Sequence, residues 1–323
     1  MRKHSLQTKT TVQIIFFLYC VGFFSVCTAG SLNSNLFRNL IALTLSQITE
    51  TQVSFKSFDS SFSPKIRFRL DEVKFKKRDK TLFLAKTLWL EPSPMFLLSW
   101  KNEPNSNAFM SFRLEEGKSH RINIRKAEGI LRASGKTITL ESTKIIPMKG
   151  EILISGDYQK SLKAFDAKIL TKQFALNSIK GSGVSGIVDL DATILGYISQ
   201  KRKIIPMSGN GKILAKNGKI ENPSITDLLT KTLNFKFQDE MNPPTWNFQS
   251  ISGNFNINEG FLQTNDLKLT GNPLNAEGKG EVNFMAQSFN LNFQAKGKHR
   301  GNHQNNINLR GTFKKPQIYI EAN

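Results

Sequence analysis

Apolar and polar side chains alternate, one by one, along most of the chain beyond residue 52. A period of two is typical of a half-buried β-strand, because successive side chains of a strand point to opposite faces of its sheet. The apolar members, which we expect to share one face, are Ile66, Phe68, Leu70, Val73, Phe75, Ile152, Ile154, Val188, Leu190, Phe255, Ile257, Leu267, Leu269, Phe289, Leu291, Phe293, Ile307 and Leu309. The pattern predicts a mainly β protein.

Residues that favour turns separate the apolar runs at short intervals. They are Gly135, Gly156, Gly196, Asn217-Gly218, Glu259-Gly260, Gly271-Asn272-Pro273, Gly297 and Gly311. Strands joined by tight turns pair antiparallel with their sequence neighbours, so we expect a long meander rather than βαβ units. Such a sheet either folds on itself as a sandwich or barrel, or curls into an open trough with an apolar lining. Alternation alone does not choose between these forms.

Three segments depart from the two-residue period. Residues 14–30 carry no charge and follow Arg2, Lys3 and Lys9, which is the pattern of a single transmembrane helix or of a cleaved signal peptide. Either form places the rest of the chain outside the cytoplasm. A short amphipathic helix is expected next, and its apolar side is formed by Leu36, Leu40, Leu43 and Ile48. Ser224–Leu233 also has a helical pattern, with Ser224 as its N-cap.

Composition and charge narrow the range of partners. The chain has 25 Phe against 4 Tyr, and its formal net charge is +20. Such a basic excess attracts polyanions, and export removes nucleic acid from the candidates, which leaves anionic lipid head groups and acidic glycolipids. The basic residues that we expect to face head groups are Lys74, Lys76, Lys77, Arg78, Lys201, Arg202 and Lys203. A solvated face without a partner is the alternative for these residues.

No arrangement of residues indicates catalysis, a cofactor or a metal. Gly181-x-Gly183-x-x-Gly186 has the spacing of a dinucleotide-binding turn, but the strand pattern that follows it excludes the helix that such a turn requires. Both cysteines, Cys20 and Cys27, lie in the apolar segment, so the exported body has no disulfide and no thiolate ligand. Asp189 and Asp191 share a strand face, which is common on wet surfaces. We therefore predict a protein that is not an enzyme and holds no cofactor.

The order of several short motifs resembles the AsmA family of envelope proteins, whose larger relatives include TamB and YhdP. The motifs near the start are Val53-Ser54-Phe55, Ser63-Pro64-Lys65-Ile66-Arg67-Phe68 and the run from Leu82 to Pro94. The motifs in the second half are Gly209-Asn210-Gly211-Lys212-Ile213, Asn217-Gly218-Lys219-Ile220, Thr226-Asp227-Leu228-Leu229, the run from Ile251 to Gly260, Asp266-Leu267-Lys268-Leu269, the run from Ala276 to Val282, Leu309-Arg310-Gly311-Thr312-Phe313 and Lys315-Pro316-Gln317-Ile318.

The resemblance implies a protein anchored in the inner membrane of a Gram-negative cell, with its body in the periplasm. It divides the chain into a membrane anchor or signal segment (1–30), an AsmA-like N-terminal region (31–130) and an AsmA-like C-terminal β-strand region (131–323). A long antiparallel curled sheet would form an open groove that binds acyl chains of phospholipids, for lipid transport or envelope lipid homeostasis. A structural or chaperone-like role in outer-membrane protein assembly is the alternative, in which exposed sheet edges receive strands of envelope proteins.

Overall fold

The computed structural model describes most of the chain beyond the N-terminal segment. The described residues are 34–49, 51–61, 65–77, 80–94, 96, 108–119, 122–134, 136–179, 183–199, 204–220, 246–271, 274–297, 304–312 and 315–322. The expected anchor or signal segment 1–30 and the expected helix Ser224–Leu233 lie outside these residues. Within the described parts of the chain, no helix has the length and apolar character needed to cross a bilayer.

In the described residues, seventeen strands form one antiparallel sheet, which confirms the predicted mainly β fold. Their bounds are β1 Gln52–Ser54, β2 Ser57–Ser61, β3 Arg67–Lys77, β4 Lys80–Pro92, β5 Phe109–Ser119, β6 Asn123–Ser134, β7 Thr137–Pro147, β8 Glu151–Gln159, β9 Ala164–Ala175, β10 Ile187–Ile198, β11 Ile204–Ile220, β12 Trp246–Asn258, β13 Phe261–Gly271, β14 Leu274–Asn283, β15 Ser288–Gly297, β16 Gln304–Thr312 and β17 Lys315–Ala322. A single turn of 3₁₀ helix, Leu176–Ser178, lies between β9 and β10.

The strands follow one another as a meander. β1 and β2 pair with different parts of β3, and from there each strand pairs with the next one in sequence as far as β17. Among the described residues, no ladder joins β17 back to the first strands, so the sheet is open and not a closed barrel. The boundary expected between residues 130 and 131 falls inside β6, and the sheet continues across it.

One described α-helix, α1 (Ser34–Thr49), packs on the start of the sheet where an amphipathic helix was expected. Of the four residues expected on its apolar side, Leu43 is 52% exposed, whereas Ile41 and Leu45 are buried. The side chains of Leu36, Leu40 and Ile48 lie outside the described ones. The Ser46 hydroxyl accepts the Val53 N–H at 2.9 Å and so links the helix to β1.

The principal core lies between α1 and the first strands. Leu70 and Val73 of β3 are completely buried, and Phe68 and Phe96 are 2% exposed. Residues of α1 and of strands up to β7 complete this cluster. Complete burial of a Leu, Val or Phe side chain stabilises a fold by about 1.5–3 kcal/mol, so this covered end contributes much of the stability.

Several glycines expected in turns lie inside strands instead. Gly156 is within β8, Gly196 within β10, and Asn217-Gly218 within β11. Asn217 has φ +50°, a left-handed conformation that Asn tolerates, and it makes a local irregularity where a hairpin turn was expected. Gly311 is likewise within β16, and Gly271 and Gly297 end β13 and β15. Glu259-Gly260 is confirmed as the turn between β12 and β13.

Candidate functional site

The cross-strand register brings the predicted apolar residues onto one side of the sheet, here called the apolar face. One row of directly opposed residues crosses the strands from β8 onwards. It consists of Ile152, Thr171, Leu190, Ile213 and Gly253 and continues, across an irregularity in the pairing of β12 with β13, with Leu267, Gly278, Phe293 and Ile307. A parallel row contains Ile154, Ile169, Ala192, Gly211 and Phe255. These rows make the apolar face continuous across separate hairpins.

Every strand residue of the predicted apolar set lies on this face. In β3, Phe68, Leu70 and Val73 oppose Leu90, Leu88 and Ala85 of β4, and Phe75 opposes Phe83. Ile66 precedes β3 and packs against the same core. In the second half, Ile257 opposes Leu262, Leu269 opposes Ala276, Phe289 opposes Val282, and Leu291 opposes Leu309. Val188 opposes Ala215 in the row beside Leu190.

The two halves of the apolar face differ in accessibility. Phe68, Leu70 and Val73 are buried in the core cluster that also contains Ile41 and Leu45 of α1, so their contact with lipid stays a prediction that this burial disfavours. From β8 onwards, most large apolar side chains of the face are only half-buried, including Leu190, Phe255, Leu267 and Phe293. Val188, Ile257 and Ile307 are buried by neighbouring side chains. The more accessible part of the face therefore follows the strands that contribute to the principal core.

Aromatic rings on this face lie across glycines of the adjacent strand. A Cβ placed on Gly211 would lie 2.5 Å from Cζ of Phe255, its directly opposed residue. The same relationship joins Gly218 to Phe248 and Gly278 to Phe293, and Phe83 reaches Gly117 of the adjacent strand from a diagonal position. Because glycine has no side chain, each ring can lie along the sheet instead of standing upright. These rings therefore lie flat on the apolar face and project little above the sheet.

The opposite side of the sheet, here called the polar face, carries ion pairs over its first strands. They include Arg67–Glu91 at 2.7 Å, Arg69–Asp71 at 3.1 Å, Lys86–Glu116 at 2.5 Å, Arg113–Glu115 at 2.6 Å, Lys126–Glu128 at 2.6 Å and Lys144–Glu151 at 2.7 Å. Exposed pairs stabilise a fold by at most about 1 kcal/mol each. Their main effect is to keep this face hydrated and close to neutral.

Trp89 occupies the middle of the polar face. The guanidinium groups of Arg67 and Arg69 lie 5.9 and 5.2 Å from its ring centroid. A shallow depression of about 740 Å³ surrounds it, and Glu91 and Arg113 are among its lining residues. Such a charged lining suits water better than an acyl chain, because burying charges against hydrocarbon is costly.

The carboxylate of Asp71, on the polar face, accepts hydrogen bonds from residues of β2, β3 and β4. Desolvation works to raise the pKa of its carboxyl group, but hydrogen bonds from Ser57, Arg69 and Thr87 outweigh it and lower the pKa below its usual value. The hydroxyls of Ser57 and Thr87 each lie 3.0 Å from the carboxylate. The residue after it, Glu72, has φ +52°, a left-handed conformation that is uncommon for a residue with a side chain.

The predicted basic residues are partly described. Lys74, Lys76 and Lys77 lie at the C-terminal end of β3, whereas Arg78 and Lys201–Lys203 are outside the described residues. Lys74 is exposed on the polar face and directly opposes Leu84 of β4. Head-group contact by these residues stays a prediction.

The remaining candidates for chemistry have structural roles where the structure describes them. Asp189 accepts the backbone N–H of Gln173 at 2.7 Å, and Gln173 has φ +50°, so this aspartate holds an irregularity of β9. Gly183 and Gly186 precede strand β10, as the pattern predicted. In the described part of the chain, no three His, Cys, Asp or Glu side chains are grouped so as to hold a metal ion.

Comparison with known proteins gave no match: no family model, no curated protein and no solved structure corresponds to this chain. The predicted relationship to the AsmA family therefore stays a resemblance of motifs.

Proposed function

We propose that the apolar face from β8 to β17 binds the acyl chains of phospholipids. The protein then serves phospholipid transport or lipid homeostasis in the cell envelope, as an inner-membrane-anchored periplasmic protein of the AsmA type. The observation that carries the proposal is the half-burial of large apolar side chains such as Leu190, Phe255, Leu267 and Phe293 in continuous rows across many strands. An exposed apolar area of this extent is unusual in a protein that has no apolar ligand.

The energetics favour such a ligand. A chain of 16 carbons gains on the order of 12 kcal/mol when it leaves water, at about 0.8 kcal/mol per CH₂. The apolar side chains of the face also lose water on binding, which adds about 25 cal/mol per Å². The polar face offers no comparable surface, because ion pairs such as Arg67–Glu91 and Arg113–Glu115 occupy it.

The dimensions of the face are adequate for acyl chains. Adjacent strands lie about 4.8 Å apart, so the strands from β8 to β17 extend over roughly 43 Å. One leaflet of a bilayer contains acyl chains that fill about half of a 30 Å hydrocarbon core. The face is thus longer than one chain, and a lipid can occupy successive positions along it. The flat rings of Phe255 and Phe293 leave its floor unobstructed.

Photo-crosslinking from paired positions tests the proposal. Benzoylphenylalanine replaces Phe255 or Leu291 on the apolar face, and the matched controls replace Asn256 or Asn290, their sequence neighbours on the polar face. The full-length chain is expressed in a Gram-negative host and irradiated in its membranes. We expect phospholipid adducts, detected by mass spectrometry, at positions 255 and 291 and not at positions 256 and 290.

Two outcomes would contradict acyl-chain binding. Equal labelling of lipid from both faces would show that the protein contacts membrane lipid non-specifically and not through the apolar face. Adducts with polypeptide at positions 255 and 291, without lipid, instead support the role in outer-membrane protein assembly, because the apolar face would then receive protein strands.

A further inference from the structure

One end of the sheet differs from the ion-paired middle of the same strands. The turns β3–β4, β5–β6 and β7–β8 all lie at this end, because β3, β5 and β7 finish there. Seven cationic side chains of these strands and turns, here called the basic rim, are Lys74, Lys76, Lys77, Lys80, Lys118, Arg125 and Lys149. Among the described residues, none of the seven forms an ion pair with an acid.

Three described acids near the basic rim have other partners. Glu72 binds Lys56 at 2.6 Å, Glu116 binds Lys86 at 2.5 Å, and Glu151 binds Lys144 at 2.7 Å. In the sequence of the first turn, the segment 74–80 contains five Lys or Arg and one acid, Asp79. Cationic side chains in the middle of the strands are paired with acids, whereas those of the basic rim are not. This end of the sheet therefore carries an excess positive charge, which attracts an anionic surface.

Exposed apolar side chains accompany these cations. Met148, in the β7–β8 turn beside Lys149, is 67% exposed, and Leu82, near the start of β4, is 45% exposed. Leu84 lies between Lys74 and Lys118, which oppose it from the strands on either side. A soluble polyanion would satisfy the lysines and leave these apolar groups in water. A bilayer interface satisfies both, because it offers anionic head groups above a hydrocarbon layer.

We propose that the basic rim docks on the surface of an anionic phospholipid bilayer, with Met148 and Leu82 inserted among the head groups. The strands of β3–β8 then stand upright on the membrane, and the apolar face begins beside the lipid surface. This inference rests on the proposed function, since docking supplies the position from which acyl chains enter. It adds the membrane contact and its residues.

The test measures insertion at one turn of each end of the sheet. The full-length chain with Cys20→Ser and Cys27→Ser receives a nitroxide label at Met148→Cys or at Met285→Cys. Met285 is 51% exposed in the β14–β15 turn, at the opposite end, and no Lys or Arg lies within five residues of it. Each protein is reconstituted into vesicles of phosphatidylcholine alone or with about one third phosphatidylglycerol. Collisions with a neutral, water-soluble nickel chelate are measured by electron paramagnetic resonance.

We expect the collision rate at position 148 to fall severalfold in vesicles with phosphatidylglycerol and to stay high in phosphatidylcholine alone. Position 285 stays accessible in both. The substitutions Lys74→Gln, Lys118→Gln and Lys149→Gln should each lower the ratio of docked to undocked protein by about fivefold. Equal accessibility at positions 148 and 285, or shielding of position 148 by soluble polyphosphate without vesicles, would overturn the proposal. Lipid adducts from position 255 report acyl binding separately, so the two proposals can fail independently.

Discussion

Phe255 of β12 and Gly211 of β11 are directly opposed, and the aromatic ring lies across the glycine backbone. A methyl group at position 211 would meet the ring at 2.5 Å and the carbonyl oxygen of Asp191 at 2.6 Å. The ring cannot stay flat unless position 211 lacks a side chain. The low height of the apolar face thus depends on residues that have no apolar side chain themselves.

The substitution Gly211→Ala should therefore destabilise the protein by about 1–3 kcal/mol, as overpacking does, and should weaken lipid labelling from neighbouring positions. Urea denaturation followed by circular dichroism measures the first effect. Gly253→Ala is the control, because the nearest atoms to its added methyl group lie at 3.3 Å, within reach of small adjustments. Similar losses in both variants would show that the ring contact at Gly211 has no special cost.

The covered and open parts of the apolar face should respond differently to truncation. Leu70 is completely buried beneath α1, so Leu70→Ala should cost about 2–5 kcal/mol. Leu291 is half-buried in the open part, so Leu291→Ala should cost less than about 1.5 kcal/mol. Denaturation midpoints measure both costs. A loss at position 291 as large as the loss at position 70 would mean that the second half of the face is a closed core.

Asp71 should make stability depend on pH. Its pKa is lower in the folded protein than in the unfolded chain, so its carboxylate stabilises the fold above the unfolded value of about 4, and the contribution disappears as pH falls through the folded value. Asp71→Asn should cost about 1 kcal/mol at pH 7, because its partners lose a charged acceptor at a partly exposed site. The deficit should shrink towards pH 3. Urea midpoints at both pH values test this.

Asp59→Asn provides the comparison for that experiment. Asp59 lies on the exposed strand β2, and its carboxylate accepts the N–H of the adjacent Ser60 at 2.9 Å. We expect this variant to change the free energy of unfolding at pH 7 by less than about 0.5 kcal/mol. A pH-independent deficit in Asp71→Asn would instead point to lost packing at the edge of the sheet.

Asn217 tests the irregular point inside β11. Because its φ is +50°, Asn217→Val should destabilise the protein by about 1–2 kcal/mol, whereas Asn217→Gly should be tolerated. Thermal unfolding of the two variants measures the difference. Equal stability of the Val and Gly variants would show that the backbone relaxes there at no cost.

The two-residue alternation was sufficient to predict the strands and the face on which each apolar residue lies. Phe289, Leu291 and Phe293 share a face in any register of their own strand, so a local pattern determines their common side. Strand ends were harder to predict. The sequence pattern predicts a turn at Gly218. Instead, Gly218 lies within β11 and pairs with Phe248 of β12, which is distant in sequence.

The covered end could not be predicted from periodicity either. The packed side of α1 carries Ile41 and Leu45, next to the bond between Ser46 and Val53, and the spacing that includes Leu43 does not predict it. For the same reason, the sequence placed Leu70 and Leu291 in one class, although one is sealed and the other is accessible. Burial depends on how the elements pack together, so an alternating pattern predicts the face on which a side chain lies but not how deeply it is buried.

Each strand from β4 to β16 forms ladders only with the strand before it and the strand after it, within the described residues. Excision of a hairpin such as β12–β13 would bring β11 beside β14 with the directions of both still opposed. Duplication of the same unit would lengthen the sheet by roughly 10 Å. The length of the sheet across its strands is therefore set by the number of hairpins. The gain or loss of a short gene segment can change that length without a new core.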